Sequence, residues 1–141
     1  MYLDSAYIAK FYVNEPESDR VRAVIRKADV LVSSLWAAGE VAWAFRRHLR
    51  TGALDSSQYQ QLLDVFMKHV DDGIWTLAPV TDRLFRRMTL LARAMPATVF
   101  LRTADAVHLT TAQDLGESEI WSNDRHVLEA AKHFGLTGRS V

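Results

Sequence analysis

The stretch Asp29–Arg47, DVLVSSLWAAGEVAWAFRR, reads as two elements in succession. DVLVSS is a short apolar run with β-branched residues, the pattern of a strand buried on both faces. From Leu35 the apolar residues fall at helical spacing, with Trp36, Ala37, Trp43 and Ala44 each three or four positions from Glu40. Ser34 is placed to cap this helix, which runs to about Arg50 and is ended by Gly52. A buried strand that feeds a helix is the repeating unit of a parallel sheet.

The same alternation continues in both directions. Upstream, MYL reads as a short buried strand and Ser5 to Val13 as a helix. NEPESD is a turn whose Pro16 opens a helix to about Ala28. Downstream, Asp55 caps a helix to about Asp72, Gly73 ends it, and IWTLA is a third strand. Thr81 to Met95 is an arginine-rich helix, and Thr103 to Leu115 another, closed by Gly116. EIWS is a fourth strand, followed by a helix from Asp124 to Phe134 with Gly135 at its end. The fold class expected is α/β, a three-layer α/β/α sandwich around a central, mostly parallel sheet.

The 141 residues, 49% of them hydrophobic, suit one domain, residues 1–141, with a substantial core. The formal net charge of zero excludes a protein held to nucleic acid by bulk charge alone. With no cysteine there is no disulfide framework, thiolate metal site or cysteine nucleophile. Neither a signal peptide nor an apolar run long enough for a membrane span is visible, so a soluble, cytoplasmic protein is expected.

Sites in open α/β sheets form beyond the carboxyl ends of the strands. Asp4 closes the first strand, and Asp124 follows the fourth after Ser122 and Asn123. Glu40 lies in the second turn of the helix after DVLVSS. Asp105 sits within LRTADAVHLTTA, four residues from both Leu101 and Leu109, on the same helical stripe. A lone acid at a strand end or helix start is ordinarily a cap. A carboxylate on an apolar face costs several kcal/mol unless it is paired or metal-bound. Four carboxylates gathered at one rim repel unless a cation joins them. No lysine lies beside them in sequence. Hard divalent ions such as Mg²⁺ or Mn²⁺ take oxygen ligands, and such a pocket suits phosphate chemistry.

These segments resemble the PIN-domain ribonucleases, in particular the VapC-type toxins of bacterial toxin–antitoxin pairs. YLDSAYIAKFY carries Asp4, VSSLWAAGEVAWAFRR carries Glu40, LRTADAVHLTTA carries Asp105 and SNDRHVLEAAKHFGL carries Asp124, in the family's order over nearly the whole chain. The resemblance implies a metal-dependent endoribonuclease that hydrolyses RNA, including tRNA, by metal-activated water. It implies Asp4, Glu40 and Asp105 as core metal ligands and Asp124 as the fourth acid. Ser5 and Ser122 would be hydroxyls near the metal. Asn123 and Asp124 are adjacent, and Asp124 occupies the family's place. The resemblance also implies a VapB-type antitoxin as partner and a homodimer, with the apolar helices near AAGEVAWAF and the helix after it as candidate contacts.

His108 follows Asp105 by three, but the resemblance gives it no ligand role. His126 and His133 read as surface or packing residues. Trp36, Trp43, Trp75 and Trp121 read mostly as core or dimer packing rather than base-stacking platforms. Thirteen of the seventeen cations are arginine, which holds phosphate through bidentate contacts. Arg102 and Arg125, beside Asp105 and Asp124, are the foremost candidates for RNA contact. Two other classes compete. A phosphoacceptor receiver domain would need a nucleophilic aspartate ending a central strand and a late lysine, and neither is present. A PIN-like binding module that has lost catalysis would hold a protein or RNA partner without cleaving; the presence of all four acids argues against it.

Overall fold

A computed structural model describes residues 1–141. The order of elements is β1 (Tyr2–Leu3), α1 (Ser5–Tyr12), α2 (Ser18–Ile25), β2 (Leu31–Ser34), α3 (Trp36–Arg50), α4 (Ser56–Asp71), β3 (Trp75–Ala78), α5 (Asp82–Ala94), α6 (Thr103–Asp114), β4 (Glu119–Trp121), α7 (Arg125–Ala130), a 3₁₀ turn (Ala131–Phe134) and β5 (Thr137–Arg139). The five strands form one sheet in the order β3-β2-β1-β4-β5, and every pairing is parallel. Tyr2 of the central strand pairs with Val32 on one side and Ile120 on the other.

Side chains alternate across a strand, so β1 supplies one residue to each face. Leu3 joins Ile8, Val41, Phe45, Phe66 and Trp75 in the core beneath α1–α4. Tyr2 joins Leu109, Ile120, Val127 and Phe134 in the core on the other face. Two cores on opposite faces make the three-layer sandwich expected from the sequence. No helix is long and apolar enough to cross a membrane.

The local signals mostly act where they were read. Asp55 caps α4 in a full capping box, accepting the Gln58 N–H while Gln58 reaches back to the Asp55 N–H. Thr81 accepts the Leu84 N–H at 3.2 Å to start α5. Four local expectations are corrected. Helix α3 starts one residue late, at Trp36, and its N-cap is Leu35, which makes no side-chain cap; Ser34 still accepts the Trp36 N–H at 3.2 Å. Pro16 does not open α2, because Glu17 intervenes with a left-handed φ of 73°. The last helix is split, with α7 tightening to a 3₁₀ turn after Ala130 that Gly135 closes at φ 71°. A fifth strand, Thr137–Arg139, was not anticipated.

The chain winds from β1 to β2 and β3 on one side and returns to β4 and β5 on the other. The switch in direction falls between β1 and β4. In open parallel sheets a crevice opens beyond the strand ends at that point.

Candidate active site

The two strand-end acids are both helix caps, and each commits one oxygen to that task. Asp4 follows β1, where its N–H bonds the Trp121 carbonyl of β4 at 3.1 Å. Its Oδ1 accepts the Tyr7 N–H at 2.9 Å and so starts α1. Asp124 follows β4 and starts α7, its Oδ1 accepting the His126 N–H at 2.8 Å. The second oxygen of Asp124 accepts from the Arg102 guanidinium at 2.9 Å. Between the two acids lies Ser122, fully buried, whose hydroxyl accepts the Asp124 N–H at 2.9 Å and also faces the Asp4 carboxylate.

Burial pushes the Asp4 carboxyl above its ordinary range; the Ser122 hydroxyl and His108 offset part of that, and the Glu40 charge adds to it. Asp105, in the first turn of α6, is raised for the same leading reason. Arg102 opposes that shift and the Asp124 charge reinforces it. The Oδ2 of Asp105 is buried and has no hydrogen-bond partner. The Arg102 Nε stands 3.4 Å from it, within ion-pairing distance but not in hydrogen-bonding alignment.

Glu40 projects from the second turn of α3. Burial raises its pKa, but contacts from His108, and lesser ones from Ser5 and Trp36, outweigh burial and leave it below the ordinary range. Its Oε2 lies 2.9 Å from His108 Nε2, and His108 Nδ1 lies 3.0 Å from the Tyr2 hydroxyl. Burial raises the Tyr2 phenol strongly, so it keeps its proton. An ionised Glu40 can only accept, so Nε2 carries a proton aimed at it. His108 is thus neither a ligand nor inert packing. It orients Glu40, and it also draws the Asp4 and Asp105 carboxyls downward in pKa. Sequence alone gave it no such role; the signal was its position three residues from Asp105, on the side of α6 that faces α3.

The structure therefore brings Asp4, Glu40, Asp105 and Asp124 to one rim, with Ser5 beside Glu40 and Ser122 beside Asp4. Asn123 is turned elsewhere. Its Oδ1 accepts from Tyr7 at 2.9 Å and Ser140 at 2.7 Å, and its Nδ2 donates to Glu17. Of the adjacent pair, Asp124 is the residue that shares Arg102 with Asp105. Arg102 is not a free cation, since it clasps both acids. Arg125 is exposed and makes no ion pair. The tryptophans divide: Trp75 is core, whereas Trp43 is 74% exposed and packs in no core. A cavity of about 470 Å³ lies between α5 and α6, is mostly apolar, and meets the acid site only through Arg102.

The donor set is carboxylate and hydroxyl oxygen, which matches a hard divalent cation. The unpartnered Asp105 oxygen is the specific fit. A buried carboxylate oxygen without a donor is costly, and a bound cation would satisfy it. The guanidinium already drawn between Asp105 and Asp124 marks the same demand for positive charge. The side chains are not closed around a point, however: no three His, Asp or Glu groups stand together as a formed ion cage.

Two comparisons bear on this geometry. The family model described as the PIN domain matches residues 1–133. Ribonuclease VapC46 of Mycobacterium tuberculosis is 35% identical over 138 residues, covering 96% of this chain and 93% of that protein.

Proposed function

We propose, from the premise that the chain belongs to the PIN-domain family, that it is an endoribonuclease toxin dependent on Mg²⁺ or Mn²⁺. The observation that carries this reading is the convergence of the four acids at the switch point of a parallel sheet, with a buried Asp105 oxygen left unpartnered. The similarity to Ribonuclease VapC46 supports RNA as the substrate.

Asp4, Glu40 and Asp105 would hold the ion, with Asp124 as the fourth acid. When bound, it would supply a water of lowered pKa and offset charge on the scissile phosphate. The chain's own residues prepare for this. The Tyr7 N–H and the Ser122 hydroxyl fix the Asp4 carboxylate. The Tyr2–His108 pair orients Glu40 and keeps it ionised. Arg102, 61% exposed at its side chain, can exchange its carboxylates for a substrate phosphate. Arg125 adds a second flanking cation, as an acidic centre needs in order to approach a polyanion. A VapB-type antitoxin is the expected neutralising partner, homodimerisation is expected, and the site of action is the cytoplasm.

The test is RNA cleavage by the purified protein on total tRNA, with Mg²⁺, Mn²⁺ or EDTA, beside Asp4→Asn and Asp105→Asn. Cleavage that requires metal and falls to background in both variants is the expected result. Cleavage that survives EDTA and both substitutions would remove the acids from the chemistry. Binding of RNA or protein without any cleavage would favour the degenerate binding module.

A further inference from the structure

The exposed indole of Trp43 is not accounted for by the fold. It is the most exposed of the large hydrophobic side chains, at 74%, and it lies on the side of α3 away from the buried Ala37, Val41 and Phe45, one turn from Glu40. Arg47 lies one turn further along the same face. Trp43 and Arg47, with Glu40, Ser5, Ala6 and Ala44, line a concavity of about 290 Å³. Ala6 and Ala44 are small, so the lining beside the exposed indole carries little side-chain bulk. Arg47 is exposed and pairs with no carboxylate, and neither do Arg46 and Arg50 on the same helix.

We infer that this concavity is a nucleotide subsite, in which Trp43 stacks an unpaired base and Arg47 takes the adjoining phosphate. The inference rests on the nuclease reading for its substrate class. Three features carry it. An indole face is a stacking surface that accepts any base. An unpaired guanidinium one turn away supplies the charge a nucleotide's phosphate needs. Glu40, at one edge of the concavity, places the stacked nucleotide directly beside the acid site. A single-stranded RNA segment satisfies all three together, whereas an apolar protein surface would leave Arg47 unpaired. Trp43 thus positions the nucleotide next to the scissile bond and takes no part in bond cleavage.

The experiment uses the full chain in the Asp105→Asn background, with Mg²⁺ present, so that cleavage does not intervene. Affinity for a fluorescein-labelled 12-nucleotide single-stranded RNA of mixed sequence is read by anisotropy, and tryptophan emission is read in parallel. Trp43→Ala should weaken binding about tenfold. Trp43→Phe should restore most of the affinity while removing most of the RNA-induced quench, because phenylalanine stacks but does not carry the indole emission. The same oligonucleotide made abasic throughout should bind the parent and Trp43→Ala alike. Equal affinity of the Trp43→Ala variant and its parent for the normal RNA overturns the subsite. So does a Trp43→Ala variant that keeps RNA affinity but loses mass in solution, which would make Trp43 a contact between copies. Cleavage assays with Asp105 intact separate the two readings. RNA bound through Trp43 but never cut leaves the subsite standing and removes the nuclease. RNA neither bound nor cut removes both.

Discussion

Asp105 shows what the site costs the residues that form it. Its raised carboxyl pKa, caused first by burial, means that the folded protein holds this proton more tightly than the unfolded chain does. The ionised form therefore subtracts stability. The loss begins as pH rises past the ordinary carboxyl range and is complete once pH exceeds the folded value. Asp105→Asn should consequently raise Tm at neutral pH in EDTA, and the gain should vanish at acid pH. Added Mn²⁺ should raise the Tm of the wild type but not of the variant; thermal denaturation over a pH series checks both. A variant that melted lower than wild type at neutral pH would show that the carboxylate is a structural ion pair with Arg102. His108 yields the complementary prediction. Without its Nε2–H, Glu40 loses its orienting donor, and His108→Ala should lower Mn²⁺ affinity by about 10- to 100-fold, measured by calorimetry. The four acids were legible because each breaks a pattern, either at a strand end or on an apolar stripe. The Tyr2–His108–Glu40 connection was not, since a tyrosine in a strand and a histidine on a buried helix look like packing until their ring atoms are seen 3.0 Å apart.

At the level of elements, most starts and stops were carried by single residues with a local mechanism: Asp55 with Gln58, Thr81, Gly73, Gly116 and Gly135. Strand β5 was hidden for an equally physical reason. Three residues with a central glycine carry neither alternation nor β-branched bulk beyond Thr137. Tertiary packing, not propensity, makes it a strand. The structure shows why Gly138 stands there. A Cβ at this position would lie 2.9 Å from the Leu128 Cα of α7, closer than two such atoms tolerate. Gly138→Ala should therefore cost about 1–3 kcal/mol by forcing α7 off the sheet. Urea denaturation should show the midpoint falling, while a helix-face substitution such as Glu129→Ala leaves it in place. Because α7 is capped by Asp124, the same displacement should also weaken metal binding.

Across the whole molecule, the sequence pattern was sufficient for the class of fold because continuous apolar strands separated by amphipathic helices admit few other arrangements. The strand order was not readable, since it depends on which edge of β1 each later strand chooses. The resulting sheet couples two cores through β1, with Leu3 in one and Tyr2 in the other. That coupling predicts a single cooperative transition. Leu109→Ala, in the core opposite Trp75, should cost about 2–5 kcal/mol and shift the Trp75 fluorescence and far-UV circular dichroism curves together. Separated curves would mean that the two faces unfold independently. The central place of β1 also sets an order of events during synthesis. Strand β1 has β2 available early as a neighbour but must wait for β4, made after β3, α5 and α6, to fill its other edge. Asp4 and Glu40 are in place with the first half of the sheet; Asp105 and Asp124 arrive only as it closes. On the nuclease reading, the nascent chain should therefore stay inert until Asp124 has been made and β4 has joined β1.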